Sequence, residues 1–164
     1  MVALLGTGDA PAHSLSGSEY LKLVHNTVMG ALSIDLEFEK RVQRCCIDAI
    51  RRGIINSAHD CSDGGLAITL TECCLYKGIG FRGEGWQFKG RLDATLFGEV
   101  QSRIIVSVRP DKVKYLEQIA AASKVPVTKL GVVGGKQFTI EGCIDLPLEQ
   151  LESIWRGSLK NTLG

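Results

Sequence analysis

The residue types best suited to chemistry crowd into one run, Ser57-Ala-His-Asp-Cys-Ser-Asp-Gly-Gly-Leu-Ala67. An imidazole, two carboxylates, a thiol and a hydroxyl stand directly before a pair of glycines. The residues leading into the run predict a strand, and those following it a helix. Such a corner leaves the first N–H groups of the helix unpaired, and glycines allow a close approach to the backbone. With the partial positive charge of a helix N-terminus, Gly64 and Gly65 become candidate amide donors to a phosphate. Asp63 is the expected helix cap, yet its carboxylate repels a bare phosphate unless a cation or an arginine intervenes. The plainer alternative is a capped helix after a tight turn, with no ligand. His59 and Asp60 are candidate proton-handling or phosphate-orienting groups. Adjacent residues of an extended chain face opposite ways, however, so the two need not act together. Ser62 completes the candidate substrate-binding set. Cys61, beside His59 at a helix N-terminus, is a weaker candidate nucleophile because no third orienting group can be named. His13 and His25 lack companions and read as packing or solvated residues.

These residues sit in a chain of 164 residues, 45% hydrophobic and 23% charged, with a net charge of +1. That length and composition suit one domain with its own core, and neither disorder nor a charged tail. The charge balance argues against a general nucleic-acid binder, which needs a basic surplus, and still allows a local basic pocket for one phosphate. No apolar run approaches the ~18 residues of a membrane span, and Met1-Val-Ala-Leu-Leu-Gly6 lacks the features of a secretory signal. A cytoplasmic protein with no membrane partner is expected. The six cysteines include the neighbours Cys45-Cys46 and Cys73-Cys74 and no C-x-x-C pair. Reduced thiols used as small core residues are the simplest reading, ahead of a metal site.

The corner has to be positioned by its flanking elements. Residues 1–33 open with a strand, Val2-Ala-Leu-Leu5, then a turn-rich stretch and a helix around Ser18 to Val24. A strand at a chain start needs a partner, and the abrupt opening suggests a piece of a longer protein. The next helix is expected to be capped by Asp35 and stopped by Gly53, with Phe38, Val42, Cys45, Cys46, Ala49 and Ile50 on its apolar face. A strand over Ile54 to Ala58 leads into the corner. The helix after it, about Gly64 to Lys77, turns Leu66, Ala67, Leu70, Cys73 and Cys74 inward. A glycine-rich connection follows from Gly78 to Gly90. Ile104 to Val108 is the next strand, and Pro110-Asp111 opens a helix with Val113, Leu116, Ile119 and Ala120 on one side. Val127 to Val133 and Lys136 to Ile140 read as a hairpin about Gly134-Gly135. Pro147 starts a closing helix whose apolar side holds Leu148, Leu151, Ile154 and Trp155. The fold class is α+β, a mixed β-sheet covered by helices; a parallel crossover following the strand before the corner remains open.

Several of these segments, in order, resemble one family. They are Leu15-Ser-Gly-Ser-Glu-Tyr20, Ile34-Asp-Leu-Glu-Phe-Glu39, the corner itself, Leu96-Phe-Gly-Glu-Val-Gln-Ser-Arg-Ile-Ile-Val-Ser-Val108, and Leu130-Gly-Val-Val133. Together they are similar to the last domain of the formylglycinamidine ribonucleotide synthases. Those proteins belong to the aminoimidazole ribonucleotide synthetase-like superfamily, with selenophosphate synthetase, thiamine-phosphate kinase and the hydrogenase-maturation dehydratase. The resemblance implies a single C-terminal domain over residues 1–164. It also implies a ligase of purine biosynthesis that uses ATP and Mg2+, held mostly by N-terminal ATP-binding domains of the same enzyme. ATP would activate the formamide oxygen of formylglycinamide ribonucleotide, and ammonia from a glutaminase subunit or domain would displace the phosphate. Those N-terminal domains are not in this sequence, so the chain alone is expected to be inactive. In this picture His59, Asp60, Ser62, Asp63, Gly64 and Gly65 form a wall facing the substrate. No catalytic residue and no metal ligand is assigned. The alternatives are the corresponding domain of a hydrogenase-maturation or selenium-handling relative, and a non-catalytic module that docks on a nucleotide-binding partner.

Overall fold

The computed structural model describes residues 1–86 and 89–163, so Gln87 and Phe88 of the glycine-rich connection lie outside it. The chain runs β1 (Val2–Gly6), a 3-10 turn (Ala12–Leu15), α1 (Glu19–His25), α2 (Leu36–Arg51), β2 (Ile55–Asp60) and α3 (Gly65–Lys77). It continues through β3 (Phe81–Gly83), α4 (Leu92–Phe97), β4 (Arg103–Val108), a second 3-10 turn (Pro110–Lys112) and α5 (Val113–Ala122). β5 (Val127–Val133), β6 (Gln137–Ile140), β7 (Ile144–Pro147) and α6 (Leu148–Leu163) close it. The strands form one seven-stranded mixed sheet in the order β2-β4-β1-β5-β3-β6-β7. All neighbours are antiparallel except β3 and β6, so the α+β expectation holds.

The opening strand finds its partners inside the chain. β1 lies between β4 and β5, and all five of its residues are buried, as a strand covered on both faces requires. Its alternation feeds two cores. Leu4 packs with Leu66, Leu70, Leu96 and Phe138 on the side of α3, α4 and α6. Leu5 packs with Val42, Cys45, Val106 and Leu116 on the side of α2 and α5. Asp35 caps α2 as expected, accepting from the N–H groups of Glu37 and Phe38 at 3.0 and 2.9 Å.

The Gly134-Gly135 hairpin does not form. β3, inside what reads as loop, enters between β5 and β6, antiparallel to the first and parallel to the second. Gly80 holds the gap open: its N–H donates to Gly135 O at 3.0 Å, and its carbonyl accepts from Gly134 N–H at 2.8 Å. The hairpin of this region is β6–β7 instead. β2 pairs antiparallel with β4, so no parallel neighbour follows the crossover through α3. Three assigned faces also need correction. Ile50 is exposed because the α2 face narrows to Val42, Cys45, Cys46 and Ala49. Cys73 is exposed on the flank of α3, one position round from buried Cys74. Ile154 and Trp155 of α6 face solvent, while Leu148 is buried.

With Phe81 only 1% exposed between Trp86 and Phe138, Phe81→Ala is expected to cost about 3–5 kcal/mol in urea unfolding. A cost below about 1 kcal/mol contradicts an interior β3.

Candidate functional site

α3 starts at Gly65 after Gly64, which adopts a left-handed conformation with φ of 77° and makes no side-chain cap. Asp63 therefore does not cap this helix, because the turn through Gly64 places the cap position one residue later. Gly65 also has a positive φ of 69°, and a Cβ there would lie 2.8 Å from both Gly98 O and Phe97 C. The glycines do serve a close approach, but the group that approaches Gly65 is the end of α4 and not a ligand. Arg103, 2% exposed, reaches the same place from β4 and donates to Thr95 O at 3.2 Å and Gly98 O at 3.4 Å.

The two expected phosphate donors are already engaged. Gly65 N–H donates to Ser62 O at 3.0 Å, and Gly64 N–H donates to Glu99 Oε1 at 2.8 Å. Neither amide points at an outside anion as the corner stands.

Beside the corner lies a cleft of about 740 Å³. Asp60, Cys61, Ser62 and Asp63 line one wall, Glu39 and Gln43 of α2 another, and Glu99 to Ile104 the floor. Ser16 and Gly17 before α1, with Leu32 and Ile34 after it, close the remaining side. Ser62 Oγ donates to Asp60 Oδ2 at 2.7 Å, and Ser102 Oγ donates to Glu39 Oε2 at 2.6 Å. The Ser62 hydroxyl, helped by the backbone, holds the Asp60 carboxyl below its ordinary range. Asp60 therefore favours folding above the ordinary carboxylate pKa, and that contribution is lost as the pH falls through the lowered value.

His59 is separated from this cleft. Its side chain lines grooves on the opposite face of β2, with Cys73 and Leu70 in one and Tyr76 and Trp155 in the other. Its Nδ1 lies 2.7 Å from the Asp60 carbonyl and donates to it. The structure thus brings Asp60, Ser62 and Asp63 together, leaves Gly64 and Gly65 behind them, and turns His59 away. Burial pushes the Cys61 thiol up to about 11, against the opposing influence of nearby Arg103, which disfavours the thiolate that a nucleophile needs. The residues missed as site candidates, Glu39 and Glu99 above all, stand in two of the resemblance-bearing segments. That was the signal available for finding them. Among the described residues, no three His, Cys, Asp or Glu side chains are placed to hold a metal ion.

The family described as "AIR synthase related protein, C-terminal domain" matches residues 2–142. A curated relative, phosphoribosylformylglycinamidine synthase subunit PurL of Thermomicrobium roseum, is 44% identical over 162 residues, which cover 96% of this chain and 22% of the relative. The chain thus spans about a fifth of the length of the curated relatives it matches. Among solved structures, T. maritima PurL complexed with FGAR superposes with a TM-score of 0.75 at 17% identity, covering 93% of this chain and 27% of that one. The same T. maritima protein has also been solved with ATP. Thiamine-monophosphate kinase from Stenotrophomonas maltophilia superposes with a TM-score of 0.58 at 19% identity, over 86% of this chain and 49% of that one. At these identities the structural likenesses establish the fold.

Two outcomes check the corner. Gly65→Ala combines a left-handed backbone with a collision against α4, and is expected to cost about 2 kcal/mol or more in chemical unfolding. A loss under about 0.5 kcal/mol contradicts the contact. In the folded chain the Cys61 thiol resists alkylation at pH 8, and mass spectrometry should find it modified only after unfolding. The stability gained from keeping this thiol protonated is complete below its ordinary value of 9.0 and is lost as the pH rises through about 11.

Proposed function

Because the chain belongs to the family of AIR synthase related C-terminal domains, we propose that it is the C-terminal domain of a phosphoribosylformylglycinamidine synthase. In that role it supplies one wall of the cleft that takes formylglycinamide ribonucleotide. One observation carries this reading. Four segments far apart in sequence, around Ser16, Ile34 to Glu39, Asp60 to Asp63 and Glu99 to Arg103, converge on a single cleft. The relatives' shared name and the FGAR complex of a protein with the same fold supply the chemistry of the ligand.

The lining decides which part of that ligand the chain can hold. Asp60, Asp63, Glu39 and Glu99 are hydrogen-bond acceptors, and they suit hydroxyl and amide N–H donors of a ribose or a glycinamide. Four carboxylates around one space disfavour a bare phosphate. The phosphate of the nucleotide is therefore held elsewhere, by cationic groups of the neighbouring domains. ATP supplies the activating phosphoryl group of the whole reaction, and its ligands, like those of magnesium, belong mostly to those domains. A glutaminase subunit or domain provides ammonia, and the setting is cytoplasmic. Among the described residues no helix is long and apolar enough to cross a membrane. The task of this chain is to orient the acceptor substrate and exclude water from its side of the cleft.

A chimaera in which this chain replaces the matching segment of the Thermomicrobium roseum synthase tests the proposal. It is expected to form formylglycinamidine ribonucleotide, while the isolated chain forms none. In that chimaera Asp63→Ala raises the KM for the ribonucleotide by about tenfold, as losing a charged hydrogen-bond partner implies. His59→Ala, on the opposite face, changes KM by less than about twofold. A folded chimaera with no activity, or a KM that follows His59 and ignores Asp63, overturns the reading.

A further inference from the structure

We infer that Glu99 is a positioning residue whose carboxylate serves as the corner's own anion and clasps α1 to the N-terminus of α3. Its Oε1 accepts from Glu19 N–H, the first residue of α1, at 3.0 Å and from Gly64 N–H at 2.8 Å. One oxygen thus joins two backbone donors that are remote from it and from each other in sequence. Both belong to helix starts, where the N–H groups have no partner within the helix and a negative charge is favoured. The carboxylate is held in turn by its own backbone. Glu99 N–H donates to Ser14 O at 3.1 Å, next to Gly98, where a Cβ would collide with Ala94 O and Ser14.

α1 depends on this clasp because it has little else. None of its residues is buried. Its other attachments are the stacking of Tyr20 on Phe97, with centroids 5.0 Å apart, and the packing of Tyr20 and Leu21 on a small cluster of Ala10, Leu15 and Ala94. The residues on either side of α1, Ser16 and Gly17 before it and Leu32 and Ile34 after it, form one side of the cleft. Glu99 therefore sets the width of the cleft from that side and keeps an outside phosphate off the Gly64 amide. The consequence for a ligand rests on the function proposed above. The clasp itself does not.

Amide hydrogen exchange on this chain, followed by NMR, tests the clasp without any ligand. Glu99→Ala is expected to speed exchange at Glu19 and Gly64 by about tenfold, the equivalent of one charge-assisted hydrogen bond. Core amides such as those of Leu4 and Val106 keep their protection. Glu99→Gln retains an acceptor oxygen at the same reach and restores most of the protection at both sites. If Glu99→Ala does not fold, Glu99→Asp, one methylene shorter, carries the same expectation for those two amides. Inorganic phosphate titrated onto the unaltered chain leaves the Gly64 resonance in place. Unchanged exchange at Glu19 and Gly64, a rise shared equally with the core, or a phosphate-dependent shift at Gly64 overturns the inference. An intact clasp in a chimaera that makes no product counts against the proposed function alone.

Discussion

The structure turns on a backbone contact between the start of α3 and the end of α4, made possible by the missing side chain at Gly65. From that contact the corner is fixed in space. Arg103 satisfies the α4 carbonyls beneath it, Gly98 turns the chain toward Glu99, and Glu99 reaches back to Gly64. A side chain at Gly65 would push α4 outward and carry Glu99 with it. The glycine pair is therefore a packing device first, and it builds the cleft by bringing a carboxylate to a helix N-terminus.

That arrangement changes the chemistry the corner offers. Bare amides at a strand-to-helix turn suggest a phosphate, yet the positive end of α3 is already neutralised from within. What remains facing the cleft is a set of acceptors with hydroxyl and amide partners among them. Such a surface suits ligand donors, and under the proposed function the charge of a phosphate is met by other domains. This division of labour fits a domain that spans about a fifth of its curated relatives.

Elements with strong local signals could be read from the sequence. The α2 helix carries its own cap at Asp35, found where the pattern put it, and an apolar stripe that holds at Val42, Cys45, Cys46 and Ala49 but not at Ile50. β4 and β5 announce themselves through β-branched residues. β3 does not, because three residues among glycines carry no periodicity, and only Gly80 and the long-range pairing with β5 and β6 define it. The same limit applies to the site. Asp60, Ser62 and Asp63 are close in sequence and line the same cleft, so a local reading groups them. Glu39 and Glu99 arrive through tertiary packing, and no spacing rule links them to the corner. His59 and Asp60 are neighbours in sequence, and strand alternation, itself legible there, sends their side chains to opposite faces.

The most direct test is a crystal structure of the chimaeric synthase grown with formylglycinamide ribonucleotide. The account predicts that ribose hydroxyls or amide nitrogens of the ligand lie within hydrogen-bond distance of Asp60, Ser62 or Asp63, with the phosphate directed away from Gly64 and Glu99 still bonded to that amide. A ligand phosphate seated on the Gly64 and Gly65 amides with Glu99 displaced, or a ligand bound with this cleft left empty, contradicts it.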